Sequence, residues 1–124
     1  MSDAKSRYGA ADVRYVTAFQ VEASPARLHF ALALAGTHWE PADRDRLTVL
    51  DIGCGRGVTA RLLAAANPGW EVVGLDLQPV HVVEAREAAA AAGIDNVRFL
   101  EMDVAELDEA GFAAQLPEAD IVLC

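Results

Sequence analysis

Four residues within one short run are arranged to do chemistry: Asp51, Gly53, Gly55 and Gly57, in L-T-V-L-D-I-G-C-G-R-G over residues 47–57. Glycines at alternate positions let backbone N–H groups approach a ligand with no Cβ in the way. A helix starting just beyond points its N-terminus at the same spot and favours a carboxylate or phosphate there. Two more acids, Asp76 and Asp103, follow the runs V-V-G-L and V-R-F-L-E-M. Ionised carboxylates there accept hydrogen bonds from hydroxyl or amino groups. An acid at a strand end is also an ordinary turn or helix cap. The common position of all three is what points to a small-molecule site.

The spacing bears on which molecule. A dinucleotide turn reads G-x-G-x-x-G. Here Gly53 and Gly55 fit it, but Val58 stands at the third glycine position and the glycine comes one residue early, at Gly57. Asp51 beside the turn would also set like charge against a pyrophosphate. It suits a ligand with a positive or hydrogen-donating group. A nicotinamide-dependent oxidoreductase is therefore disfavoured.

Alternating elements must position these residues. Leu47, Val49, Leu50 and Ile52 form an apolar, partly β-branched run suited to a strand buried on both faces. Val58–Ala66 reads as a helix ended by Asn67-Pro68-Gly69, Trp70–Asp76 as a second strand, and Gln78–Ala92 as a long helix closed by Gly93. Val97–Met102 is a third strand. Residues 105–116 read as a short helix or irregular turn broken at Gly111, and Asp120–Cys124 begins a fourth strand. Such alternation implies an α/β, Rossmann-like parallel sheet with right-handed crossovers, whose ligands bind past the carboxyl ends of the strands.

Upstream, residues 1–46 form a tail and helical lead-in, and residues 47–124 the partial binding domain. A short helix is expected within 9–23. Ser24-Pro25 marks a second helix, with Ser as N-cap and Pro at the first position, running to Gly36. Its two apolar faces, Leu28–Leu32–Ala35 and Phe30–Leu34, imply that it is largely covered. Residues 37–46 are polar and read as a surface connection, in which Trp39 packs more readily than it contacts a ligand.

With 124 residues the chain is one domain at most, and its 53% hydrophobic content is enough for a core. No apolar run reaches the roughly 20 residues of a membrane helix, and the polar start lacks a signal-peptide core. Cys54 and Cys124 make no disulfide framework, and His29, His38 and His81 are scattered without metal-ligand spacing. A reduced, cytoplasmic compartment fits. Arginine dominates the basic residues and alanine is abundant, which hints at a bacterial source. The net charge of −9 is lopsided: seven acids and eight bases in residues 1–70, twelve acids and two bases in residues 71–124. An acidic surface repels a phosphate backbone, so nucleic acid is a poor partner for the second half.

At these motifs the chain resembles class I S-adenosylmethionine-dependent methyltransferases. V-L-D-I-G-C-G-R-G is similar to their first motif, V-V-G-L-D-L to the second-strand motif, V-R-F-L-E-M-D-V to the third, and A-D-I-V-L-C to the opening of the fourth strand. The lead-in Tyr15…Ser24-Pro25 resembles that of a bacterial subgroup with a downstream regulatory domain.

The resemblance implies S-adenosyl-L-methionine as cofactor, with roles carried over residue by residue. Gly53, Gly55 and Gly57 would let the backbone close on the methionine and ribose portion, and Asp51 would meet the methionine ammonium. Asp76 would accept the ribose hydroxyls. Asp103 would accept the adenine amino group beside the Val104 N–H, and Leu77 would cover one adenine face. Tyr15, Phe19 and His29 are lid candidates, set against core packing. Cys54 reads as a packing residue, Arg56 as solvent-exposed and Asp120 as a strand start.

The family's strand order, 3-2-1-4-5-7-6, makes the first and fourth strands neighbours. That implies two free thiols close together near the pocket, and a sheet truncated after the fourth strand. Its apolar edge would be open to pairing, so the chain is expected to be either a fragment of a longer methyltransferase, the favoured reading, or completed by another chain. The expected function is the cofactor-binding part of a methyltransferase, weak or inactive alone, with a small-molecule or protein acceptor. The alternative is a catalytically inert methyltransferase-like partner or regulatory module.

Overall fold

The computed structural model of the chain describes residues 17–124. Four strands, β1 (Thr48–Ile52), β2 (Glu71–Asp76), β3 (Val97–Glu101) and β4 (Ile121–Leu123), form one sheet in the order β3-β2-β1-β4. Every pairing is parallel, and the register sets Asp51 beside Gly74 and Leu123, and Gly74 beside Phe99. The connections are α2 (Val58–Ala66), α3 (Pro79–Ala91) and α4 (Glu109–Gln115), with α1 (Pro25–Leu34) preceding the sheet. This is the topology and the set of sheet elements expected from the sequence.

Alternation along each strand splits the core in two. Val49, Val72 and Phe99 pack with Ala60, Leu63, Val82 and Ala85 of α2 and α3. Leu50, Val73 and Leu75 face the opposite way and pack against Leu116 and Phe112, on the α4 side. Both faces of β1 and β2 are thus covered, which is why these strands read as continuous apolar runs rather than alternating ones.

Three expectations are corrected. The helix expected within 9–23 falls partly outside the described residues, as does Tyr15; within them, residues 17–20 are irregular and Val21–Ala23 form a single 3-10 turn. Helix α1 does run from Ser24-Pro25 and ends in a Schellman motif, with Gly36 at positive φ and the Thr37 and Gly36 N–H groups donating to Leu32 and Ala33. It is not largely covered, however: Phe30 and Leu34 are 64% and 74% exposed, and only Pro25 is buried. Periodicity marks an apolar face but does not say what packs on it. Finally, Gly111 does not break α4. It occupies the third helical position, where its N–H donates to the cap residue Asp108 (2.7 Å), and that bond offsets the usual glycine penalty.

Candidate functional site

The turn after β1 is fixed to the end of β2 before any ligand is considered. The Gly53 and Cys54 N–H groups both donate to the Leu75 carbonyl (2.8 Å each), and the Gly55 N–H donates to Asp76 Oδ2 (2.8 Å). Gly53 and Gly55 hold φ of 75° and 55°, a region costly for residues with a Cβ, and a Cβ built on either would meet only open space. That open space is where the cleft lies.

Gly57 is different. It is buried, lines neither rim cleft, and a Cβ there would fall 2.5 Å from the Phe99 ring and 2.9 Å from Ala85. A Cβ on Gly74 would meet the same ring at 2.7 Å. Two glycines therefore make room for one phenylalanine, and Phe99 supports the turn from below. Sequence reading missed this pairing, because β2 and β3 must first be set in register.

Two clefts open along the carboxyl ends of the strands. The larger, about 560 Å³, is bounded by Asp51, Gly53, Gly55, Glu22, Leu28 and Val122. The smaller, about 340 Å³, is bounded by Gly53, Gly55, Asp76, Leu77, Asp103 and Val104. They share Ile52, Gly53 and Gly55. Seven of the eight singled-out residues thus border these two adjoining clefts, and Gly57 borders neither.

The acids differ in surroundings. Asp51 is 9% exposed; burial, reinforced by the nearby Asp76 charge, raises its pKa from 3.8 to about 6. Asp76 is held by three donors: Gly55 N–H on Oδ2, and Gln78 N–H (2.8 Å) and His81 Nδ1 (3.2 Å) on Oδ1. Of a carboxylate's roughly four acceptor positions, about one is left, on Oδ2. Asp103 caps the short 3-10 turn Val104–Glu106 by accepting from the Ala105 N–H (3.0 Å) on Oδ1.

The remaining candidates fall into place around these. Burial, with the charges of Asp51 and Asp76, pushes the Cys54 thiol up to about 12, so it is a neutral packing group and not a nucleophile. Cys54 and Cys124 are both free and both border the larger cleft. Arg56 is half-exposed and ties the turn outward, donating to Glu84 and to Thr17 Oγ1 (2.8 Å). The Gln20 N–H donates to the buried Thr59 hydroxyl (3.0 Å), so residues 17–20 lie across the mouth of α2. Asp120 joins β4 to β1 by accepting from the Thr48 N–H (2.8 Å). Phe19 and His29, considered as lids, instead border a separate apolar cleft with Trp39 and Trp70, where His29 and Trp39 stack edge to face.

Comparison with known proteins gives the same picture. The sequence model of a family described as "Methyltransferase domain" matches residues 43–124. An uncharacterised protein of Synechocystis is 31% identical over 112 residues, covering 90% of this chain and 21% of that protein. The ribosomal protein L11 methyltransferase of Clostridium botulinum is 38% identical over 76 residues, covering 60% of this chain and 23% of the enzyme. Among solved structures, PKMT2 from Rickettsia typhi in complex with AdoHcy superposes with a TM-score of 0.69 at 27% identity, over 82% of this chain and 19% of that one. The chain spans about a fifth of the length of these relatives.

Proposed function

The chain belongs to the methyltransferase-domain family, of the class I S-adenosylmethionine-dependent type, and on that premise we propose that its rim binds S-adenosyl-L-methionine for methyl transfer. One observation carries this reading: the two rim clefts share Ile52, Gly53 and Gly55, and between them they are bordered by Asp51, Asp76 and Asp103. The donor and acceptor set fits such a cofactor from end to end. The open space over Gly53 and Gly55, where a Cβ would project, gives its chain room.

The sulfonium of this cofactor supplies an already activated methyl group, so the chain's part is binding, alignment and exclusion of water. Asp51, ionised above about pH 6, faces the methionine ammonium. Leu77 covers the adenine, and Asp103 with the Val104 N–H reads its edge. Asp76 accepts from the ribose. Accepting both hydroxyls requires one present bond to yield, and the Gly55 N–H, on the turn itself, is the one that the ligand can replace.

The acceptor enters from the larger cleft, past Asp51 toward Glu22, Leu28 and Val122. The acidic balance of residues 71–124 favours a small-molecule or protein acceptor over nucleic acid. Pairing through the β4 edge, where Val122 is 54% exposed, is a further proposal about partners. Among the described residues no helix is long and apolar enough to cross a membrane.

Calorimetric titration with S-adenosylmethionine, S-adenosylhomocysteine and NAD tests the cofactor assignment. Both S-adenosyl compounds bind, NAD does not, and Asp76→Ala weakens the two by at least about tenfold. Binding of NAD alone, or of nothing, rejects it.

A further inference from the structure

His81 reads in the sequence as one of three scattered histidines, and nothing about its spacing suggests a site. The structure buries it: it is 7% exposed, and its Nδ1 lies 3.2 Å from Asp76 Oδ1. The reason is local geometry. Helix α3 begins at Pro79, so His81 is its third residue. Helical side chains lean back toward the N-terminus, which carries the imidazole to the carboxylate five residues earlier. Asp76 itself sits at the positive end of α3, where its Oδ1 accepts from the Gln78 N–H.

Consider what Oδ1 and Oδ2 each do. With the proton on Nδ1, the imidazole and the Gln78 N–H together take up Oδ1. That fixes the rotation of the carboxyl plane and leaves Oδ2 turned to Gly55 and the cleft. Without the imidazole, Oδ1 keeps one backbone donor, the plane gains rotational freedom, and a buried acceptor loses a partner. The side chain does not border either rim cleft, and its contact with Asp76 links it to the smaller one.

We propose that His81 is a positioning residue for the cofactor site: by holding Asp76 Oδ1 from the α3 side, it keeps Oδ2 presented to the ribose hydroxyls. This rests on the S-adenosyl reading given above. It also names which part of the ligand His81 serves, because only the ribose diol meets Asp76.

The test is titration of the full chain with S-adenosylhomocysteine and with its analogue lacking the 2′- and 3′-hydroxyls. His81→Leu and His81→Gln both remove the contact, the second because its amide reaches the Nε2 position. His81→Asn sets a donor where Nδ1 stands. The two loss variants weaken S-adenosylhomocysteine on the order of tenfold, leave the analogue unchanged, and His81→Asn recovers all but about threefold of the loss. If one loss variant does not fold, the other is compared with His81→Asn in the same way. Equal weakening of both ligands, no weakening, or no recovery in His81→Asn overturns the proposal while the S-adenosyl reading stands. Failure of the unaltered protein to bind S-adenosylhomocysteine overturns that reading and this proposal with it.

Discussion

Asp51 is a group that the fold holds against its own interest. Its carboxyl is 9% exposed, and burial with the Asp76 charge raises its pKa to about 6 from 3.8. A folded-state value above the unfolded one means that the native state binds more protons between those two limits. Stability is then fully present below about pH 4 and declines as pH rises through about 6, by about 3 kcal/mol in total. Asp51→Asn should therefore raise the thermal midpoint at pH 8 and have no effect near pH 4, while weakening cofactor binding at pH 8. Thermal unfolding across this pH range checks it, and an unchanged midpoint at pH 8 would argue against a buried, ionised Asp51. Gly57 makes the opposite kind of statement. Gly57→Ala combines backbone strain at φ 71° with overlap on Phe99 and Ala85, and should cost about 2–4 kcal/mol. Gly53→Ala meets open space and should cost only the strain, about 1–2 kcal/mol. Denaturant midpoints of the two variants should differ in that order; equal losses would remove the supporting role of Phe99.

At the scale of elements, the order of strands and helices from Leu47 onward is legible because both faces of a parallel sheet are covered. That requirement writes short apolar runs separated by helical periods. The helix ends are legible too: Ser24-Pro25, Gly36 and Gly93 each mark an end that the structure keeps, although the Ser24 side chain makes no capping hydrogen bond. Contacts between elements are not. Phe99 must be set in register with Gly74 before its ring is seen to pack against Gly57, and His81 reaches Asp76 only once α3 starts at Pro79. Nor does the pattern of α1 reveal that Phe30 and Leu34 stand open. Asn96 is a further case. Its amide donates toward the carbonyls of Ala64 (3.0 Å), Asn67 (3.1 Å) and Trp70 (3.0 Å), tying the last turn of α2 to the loop that leads into β2; the first two carbonyls also accept from the Asn67 and Trp70 N–H groups. Nothing in the run I-D-N-V announces this, since its partners lie 26–32 residues away. Asn96→Leu should lower stability by about 1–3 kcal/mol and speed amide exchange at the end of α2. Urea unfolding with hydrogen exchange reads both, and undiminished stability would show that the backbone donors and solvent satisfy those carbonyls without Asn96.

At the scale of the molecule, the strand order β3-β2-β1-β4 brings three acids that are 25–27 residues apart in sequence onto one rim. The glycine turn borders both clefts there, and Leu28 of α1 and Val122 of β4 flank the larger one. A further cleft of about 620 Å³, between α1, α2 and the Trp39 connection, lies apart from this rim and shares none of its acids. The two locations give the central claim a direct test. Backbone amide shifts recorded during titration with S-adenosylhomocysteine should move at Gly53, Gly55, Leu77 and Val104, and stay fixed at Gly36 and Gly93. Shifts gathered instead around His29, Trp39 and Trp70, or none at saturating ligand, would contradict the assignment of the rim as the cofactor site.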